Sequence, residues 1–417
     1  MNQRETGDLG QGSVGKLLLR LALPTITAQL VNALYNMVDR IYIGHIPVVG
    51  RTALTGVGVC MSLIMIISAF AALTAMGGAT RASIFLGRGD RAGAEKILGN
   101  CVTGAVSAGL ILTVVFLIFS RPLLMAFGAS EETIGYAVQY MKIYALGTVF
   151  VELALGLNAF ITAQGFASVA MVSVLIGAVA NMILDAVLIL GLGMGVAGAA
   201  LATIISQYMS AFLVLRCLMR EEGALRLELK KLKVEWSVVR RILQVGLPAG
   251  FQGIVFSLSN VVIQSSLNSF NDSVIVAGSA ASSNIENFVY AAMNAFYQTA
   301  ITFTGQNYGA GKCDRVDKVA RQCVAFVIVV GVVLGNLAYF FGTTLAGIYA
   351  PGEPDVIAQA VIRLAYVSCP YFLCGIMDTM VGVLRGLGYS VVPMVASLIG
   401  ACGLRLVWVA VMFPISR

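Results

Sequence analysis

The sequence predicts an all-α polytopic membrane protein, and three observations carry that prediction. Hydrophobic residues make up 59% of the 417 and charged residues only 11%, where an ordinary globular domain carries about 25% charge. Apolar runs of about 20 residues, enough to cross about 30 Å of hydrocarbon, recur along the whole chain and give a mean hydropathy of +0.89. Glycine is abundant, at 45 residues, which suits helices whose backbones must approach closely in lipid. The alternating segments of about ten residues that mark an outer-membrane barrel are not seen in the sequence.

The chain opens on polar residues of mixed charge, Arg4, Glu5 and Asp8. The apolar stretch that starts at Leu17 is too long for a signal-peptide core, so no cleaved leader is expected. Spans follow at about 17–43, 53–80, 96–119, 134–160, 167–190, 195–218, 238–268, 274–302, 318–341, 356–384 and 391–413, eleven in all. Pro24 and Pro248 sit early in the first and seventh spans, where they free backbone carbonyls and permit bending. Basic residues gather in alternate loops: Arg81, Arg88, Arg91 and Lys96; Arg216 through Arg241; Lys312, Arg315, Lys318 and Arg321; and Arg385. The opposite side carries only Arg51, Arg121 and Arg417. That asymmetry places the N-terminus in the cytoplasm and the chain in the inner (plasma) membrane. The net charge of +7 therefore serves topology and contact with anionic lipid, and no nucleic-acid partner is expected.

Two halves superpose at an offset of about 222 residues. Leu23-Pro24 matches Leu247-Pro248, Gly87-Arg88-Gly89-Asp90 matches Gly309-Ala310-Gly311-Lys312, and Cys101 matches Cys323. Phe127 to Glu131 matches Tyr349 to Glu353, and Gln164-Gly165 matches Arg385-Gly386. A unit of six spans is even, so both halves enter the membrane the same way up, as a parallel repeat. The expected organisation is an N-terminal lobe over 1–218, a cytoplasmic linker over 219–237 and a C-terminal lobe over 238–417. The linker's Leu225 to Lys233 stretch should lie on the cytoplasmic surface. The repeat also calls for a twelfth helix at about 418–441, so the C-terminal lobe is expected to be incomplete, with its twelfth helix missing.

A charge at bilayer depth costs at least about 2.5–3.5 kcal/mol on insertion scales, so carboxylates within spans point to function. Asn32, Asn36 and Asp39 follow i, i+4, i+7 spacing and share one helix face, with Tyr35 beside them. Asn181 and Asp185 repeat the i, i+4 spacing in the fifth span, and Thr203 adds a buried hydroxyl in the sixth. Two carboxylates with amide and hydroxyl oxygens can coordinate Na+ or hold a proton. The positions matching these acids in the second half lie near Ile263 and Trp408, so the repeat does not itself demand them. Glu152, Glu286 and Asp378 are further intramembrane acids, with Lys142, Arg363 and Arg405 as available ion-pair partners. Glu286, which follows Asn284, and Asp378 are placed with Asn32, Tyr35 and Asn36 as a candidate substrate cavity. Aromatic and Met positions such as Phe288, Tyr290, Met293 and Phe296 read as packing.

Other chemistries find no foothold. There is no GxxxxGK[ST] loop for a nucleotide, no Gly-x-Ser-x-Gly elbow and no metal-ligand cluster, so an enzyme is not expected, no cofactor is called for, and an ion gradient is the natural energy source. The eight cysteines show no CxxC pair and read as small buried hydrophobes. His45 stands alone at the end of the first span and carries neither a catalytic nor a zinc role.

These residues resemble the MATE (multidrug and toxic compound extrusion) transporters of the MOP flippase superfamily. Leu23-Pro24 with Tyr35 to Gly44 is similar to the family's first helix, Gly305-Gln306-Asn307-Tyr308-Gly309-Ala310-Gly311 to its most distinctive loop, and Leu384-Arg385-Gly386-Leu387-Gly388 to the loop after the tenth helix. The resemblance implies two six-helix lobes and alternating access, with organic cations or amphiphilic drugs exported in exchange for Na+ or H+ by a monomer. It carries the N-lobe cation site onto Asp39, Asn181, Asp185 and Thr203, with Na+ at Asp39, Asn181 and Asp185. One branch of the family also has acids on the seventh and tenth helices. Here the seventh span offers Gln252 and Ser257, and Asp378 does not sit at that branch's spacing. The rival within the superfamily is a lipid or lipid-linked oligosaccharide flippase, which would want a cationic groove.

Overall fold

The computed structural model describes residues 9–44, 46, 49–220, 225–229, 232–270 and 272–415, without the side chains of residues 51 and 412–415. His45 and Arg417 lie outside the described residues. Every element among them is helical. The order is α1 (Val14–Gly44), α2 (Gly50–Leu73), α3 (Thr80–Gly87), α4 (Arg91–Ala126), α5 (Ile134–Leu146), α6 (Thr148–Ala163), α7 (Ala167–Asp185) and α8 (Gly195–Arg220). There follow α9 (Trp236–Asn268), α10 (Ser273–Gly309), α11 (Cys313–Phe340), α12 (Gly342–Tyr349), α13 (Pro354–Val367), α14 (Phe372–Gly386), α15 (Val391–Ser397) and α16 (Leu404–Ile415). Single π-helical turns at Thr74–Ala79, Ala186–Gly191 and Leu398–Gly403 run on from α2, α7 and α15.

Among the described residues eight helices are long and apolar enough to cross a membrane, or ten when each of two bent pairs counts as one span. The eighth expected span, matched by α10, has 37 residues but is not among them. Its buried face carries Ser279, Ser282, Glu286, Thr299, Thr302, Thr304 and Asn307. A helix that polar is tenable at membrane depth only when protein surrounds it, and α11, α13 and α14 pack against it.

Spans four and ten, expected as continuous helices over 134–160 and 356–384, are each broken. The chain turns by 60° between α5 and α6 and by 50° between α13 and α14. At the second break Pro370 supplies no amide hydrogen and disfavours a helical residue before it. At the first, Gly147 lies so close to Ile204 of α8 that a Cβ would collide with it. The two breaks stand at matching places in the repeat. Matching glycines also turn the chain between helices: Gly89 and Gly311 adopt φ of +74° and +71°, where an L-residue is strained by about 1–2 kcal/mol.

The chain divides into two compact units, Val31–Gly246 and Leu9–Leu30 with Leu247–Arg417. The first has two hydrophobic clusters, one around Ile43, Leu63, Ile67 and Tyr140, the other around Leu98, Phe160 and Leu218. The linker joins the second cluster. Leu225 and Leu227 are buried while Arg226 and Leu229 are exposed, an alternation of period two rather than a helical face. The Leu225 amide donates to Gln164 Oε1 at 3.2 Å, and the Glu235 amide to Asn100 Oδ1 at 2.8 Å. In the second unit, Ala22 and Ile26 of α1 pack with Met293, Phe296 and Val327. Among the described residues no disulfide joins the cysteines, and Cys60, Cys101, Cys323 and Cys402 are buried as expected, but Cys313 is exposed at the start of α11.

The break at α13–α14 depends on the close approach of α11, where a Cβ on Gly335 would run into the Ser368 carbonyl oxygen. Gly335→Ala is expected to cost about 1–3 kcal/mol by overpacking, read as a lower unfolding temperature of the detergent-solubilised protein. Gly104→Ala, where an added Cβ meets nothing, should leave that temperature unchanged or slightly raised.

Candidate functional site

In the first unit polar side chains from four helices converge within an apolar core. The face of α1 that holds Asn32, Tyr35, Asn36 and Asp39 is not uniform: Asp39 is buried, Asn32 and Tyr35 are half-buried and Asn36 is exposed. Asn36 is satisfied locally, donating from Nδ2 to the Asn32 carbonyl at 2.7 Å. On α7, Asn181 and Asp185 are 1% and 0% exposed, one turn apart on the same buried face. Asp185 is the last α-helical residue before the π-helical turn Ala186–Gly191, a distortion that recurs at functional positions in helices. Thr203 of α8 is buried and donates to the Ala199 carbonyl at 3.0 Å.

The electrostatics tie these helices together. The Asp39 charge bears on Asp185 and on Tyr35, Tyr140 and Tyr144. Tyr140 of α5 is hydrogen-bonded with Thr203, and its ring stacks on Tyr144 at a centroid distance of 6.0 Å. These two phenols were not picked out from the sequence. The signal available was their i, i+4 spacing in an apolar span, which is also the spacing of ordinary core aromatics. Asp39 Oδ1, both side-chain heteroatoms of Asn181 and both carboxylate oxygens of Asp185 are buried with no hydrogen-bond partner among the described residues. Buried polar atoms are satisfied almost everywhere else in proteins. The exposed Arg40, next to Asp39 on α1, bears on that carboxylate, whereas no basic side chain bears on Asp185; two carboxylates and one carboxamide so placed are a set of donors for a hard cation or a proton.

The second unit treats its acids differently. Glu286 is held by Arg363 through two contacts of 3.2 Å, Nε to Oε1 and Nη2 to Oε2, and accepts from Ser282 Oγ at 2.7 Å. Arg363 also donates to Ser279. Asp378 is half-buried, hydrogen-bonded with Tyr290 and within the field of Arg385. Arg385, which the sequence reading counts among loop charges, is instead buried in the last turn of α14 at 4% exposure. It donates to the Tyr297 hydroxyl and to Gln252 Oε1, with its guanidinium carbon 5.7 Å from the Tyr297 ring centre. Arg405 donates to Asn260 Oδ1 at 3.2 Å, and Lys142 is exposed. The structure thus brings Asp39, Asp185 and Thr203 to one site in the first unit, with Asn181 on the adjoining turn. It places Glu286 and Asp378 in the second unit, each with a protein partner.

The model of the MatE family matches the chain twice, over residues 24–187 and 248–411, so each half of the repeat fits the same pattern and each match opens on its helix's proline. A probable multidrug resistance protein, NorM, of Thermotoga maritima is 27% identical over 399 residues, covering 94% of this chain and 84% of that protein. The multidrug export protein MepA of Staphylococcus haemolyticus is 23% identical, covering 91% and 82%. Among solved structures, a crystal structure of MATE in complex with MaD3S superposes with a TM-score of 0.90 at 20% identity, covering 98% of this chain and 92% of that one. At that identity the likeness is one of fold.

Removing Arg363 while leaving Glu286 would strand a buried carboxylate. Arg363→Met is expected to destabilise the protein by about 3–5 kcal/mol, seen as a fall in unfolding temperature in detergent. The double variant Arg363→Met with Glu286→Gln should recover most of that loss, because it removes both charges together.

Proposed function

Because the chain belongs to the MatE family, we infer that it is a multi-pass membrane exporter that moves organic cations and amphiphilic drugs in exchange for Na+ or H+. The observation that supports this best is the orphaned set in the first unit: Asp39 Oδ1 and both side-chain polar atoms of Asn181 and of Asp185 are buried with no hydrogen-bond partner among the described residues. The relatives named for multidrug resistance and multidrug export support the substrate class.

The mechanism follows from the cost of that set. Two buried carboxylates whose one basic neighbour is the exposed Arg40 beside Asp39 are costly unless a cation or a proton neutralises them, so occupancy of the site and conformation of the chain are linked. A cation drives the exchange only through its different affinity for the outward- and inward-facing states. Asp39 ties that difference to α1 and Asp185 ties it to the π-helical turn that follows α7. Tyr140, bonded to Thr203 and sensing Asp39, positions the wall of the site between them. One proton moving down a pH difference of one unit releases about 1.4 kcal/mol, which sustains about a tenfold drug gradient in one-for-one exchange. Charge neutralisation at Asp39 and Asp185 then favours release of a cationic drug, and loss of the coupling cation restores the state that binds the next.

The test is efflux of a fluorescent cationic dye from proteoliposomes under imposed Na+ or pH gradients. Asp39→Asn and Asp185→Asn are each expected to cut gradient-driven efflux by at least about tenfold, the scale on which lost ligation weakens a metal site. The ion whose gradient drives the unmodified protein identifies the coupling cation. Efflux that stays gradient-dependent in both variants overturns the assignment of the site. Absence of dye movement together with gradient-dependent transfer of lipid between leaflets would assign a flippase instead.

A further inference from the structure

Glu152 stands outside the coupling site and is the most isolated acid in the first unit. It lies on α6, four residues past the start of that helix and just beyond the 60° break at Gly147. Its exposure is 0%, and both carboxylate oxygens are without a hydrogen-bond partner among the described residues. The contrast with Glu286, which Arg363 and Ser282 satisfy, is one of environment and not of residue type.

Of the titratable groups on the helices that pack against α6, most are engaged elsewhere or exposed, and Arg81, whose Nε is buried without a hydrogen-bond partner among the described residues, feels Arg241 and Arg88 and not Glu152. From α4, Lys96 pairs with Glu235 and Arg121 with Glu131, Arg91 is exposed and Glu95 is half-buried. From α3, Arg81 lies in the field of Arg88 and Arg241. From α8, Arg216 and Arg220 are exposed, and Tyr208 donates its hydroxyl to the Leu146 carbonyl at 3.3 Å. Asp185 of α7 is felt by Asp39. The thiols of Cys60 on α2 and Cys101 on α4 donate to the carbonyls of Ala137 and Thr74. Lys142 of α5 is exposed. What remains is Tyr144 of α5, which senses both Glu152 and Asp39 and stacks on Tyr140.

An ionised carboxylate so placed has no counter-charge and no donor, a state whose cost a folded protein avoids by neutralising the group. A merely structural residue at this depth would be better served by Gln or Leu. We propose that Glu152 is a second cation-carrying group of the first unit, a carboxyl that takes up and releases one proton in each transport cycle in addition to the cation held at Asp39 and Asp185. Its O–H bond breaks as water on one side of the membrane takes the proton, and re-forms from water on the other side. Tyr144 couples this event to the occupancy of Asp39. The proposal rests on the antiport reading above. It adds that two charges enter for each drug molecule that leaves, so exchange of a monovalent dye is electrogenic.

The experiment measures two quantities in proteoliposomes with a monovalent cationic dye: the ratio of coupling charges to dye, and the response of efflux to a clamped membrane potential. In the unmodified protein a potential that draws cations inward is expected to accelerate efflux. Glu152→Gln, which keeps the shape and fixes the neutral form, should lower the ratio by one charge and abolish the voltage response while dye still exchanges. An active Glu152→Gln protein with unchanged ratio and unchanged voltage response overturns the proposal, because a structural role would slow transport without altering either. Unmodified protein that shows no cation-coupled efflux at all refutes the antiport reading instead. Independently of any variant, dicyclohexylcarbodiimide, an apolar reagent for protonated carboxyls, should modify Glu152 in the folded protein, located by peptide mass spectrometry. Absence of that adduct also overturns the proposal.

Discussion

Every feature of this structure answers to the cost of placing a charge where neither water nor a counter-charge can reach it. Moving an ion of carboxylate size into a low-dielectric interior costs several kcal/mol even after relaxation. The two units meet that cost in opposite ways. In the second, protein groups satisfy the charge: Arg363 holds Glu286, Tyr290 binds Asp378, and Gln252 and Tyr297 hold Arg385. In the first, Asp39, Asp185 and Glu152 are buried without equivalent partners. A charge satisfied within the protein needs no solute to neutralise it. A charge left for a solute changes the balance between states each time the solute arrives or leaves, which is what coupling requires. The asymmetry between halves built on one pattern is thus where transport is to be sought.

The same reasoning explains the backbone. In hydrocarbon every amide must find its partner within the protein, so helices dominate and breaks survive only where other helices cover them. Both bent pairs obey this. Gly147 presses on Ile204, Gly335 on the Ser368 carbonyl, and Tyr208 donates to the Leu146 carbonyl just before the first break. The break before α6 also brings Glu152 into the interior one turn later. Local bending and the position of a buried acid are therefore one feature of the fold. The π-helical turn after Asp185 does similar work on α7, since it displaces the helix at the point where a carboxylate must face other polar groups.

Much of this was legible in the sequence because one energetic term decides it. The spacing of Asn32, Asn36 and Asp39 and of Asn181 and Asp185 stands out against apolar surroundings, and the structure buries Asp39, Asn181 and Asp185. The parallel repeat was visible because turns need glycine at fixed places, and Gly89 and Gly311 do share a left-handed φ. What was not legible depends on contacts between distant residues. Arg385 reads as a loop cation because it ends an apolar span, yet Gln252 and Tyr297, 133 and 88 residues away, draw it inside. Nothing local marks Tyr140 and Tyr144 as more than packing. The linker was expected on the surface, yet Leu225 and Leu227 are buried and the Leu225 amide donates to Gln164, 61 residues away. Glu152 was read as an acid seeking a partner, and its partner Lys142 turned out to face away.

The Gly305–Gly311 stretch, expected as a loop but helical as far as Gly309, shows how a signature can sit far from the chemistry and still serve it. Asn307, at its centre, is fully buried and donates to the carbonyls of Leu9 and Phe303 at 3.3 and 2.8 Å. Arg315 accepts no substitute easily, because its guanidinium reaches Asn307 Oδ1, the Leu9 carbonyl and the Gly12 carbonyl at once, at 3.0, 3.0 and 2.9 Å. Lys312 adds the Gly10 carbonyl at 2.8 Å. All the partners on the N-terminal side are backbone carbonyls, so the side chains of that segment do not themselves form the clasp, although Gly12 is tied to glycine by its φ of +83° and Leu9 is buried. Asn307 and Arg315 do form it, since planar groups with several fixed donors bind several carbonyls together. The side-chain requirement of the clasp therefore falls on the end of α10 and the start of α11. What the clasp fixes is the start of α1 within the second unit, and the far end of that same unbroken helix carries Asp39. On the antiport reading proposed above, a cation bound at Asp39 would act on a helix whose other end is already tied.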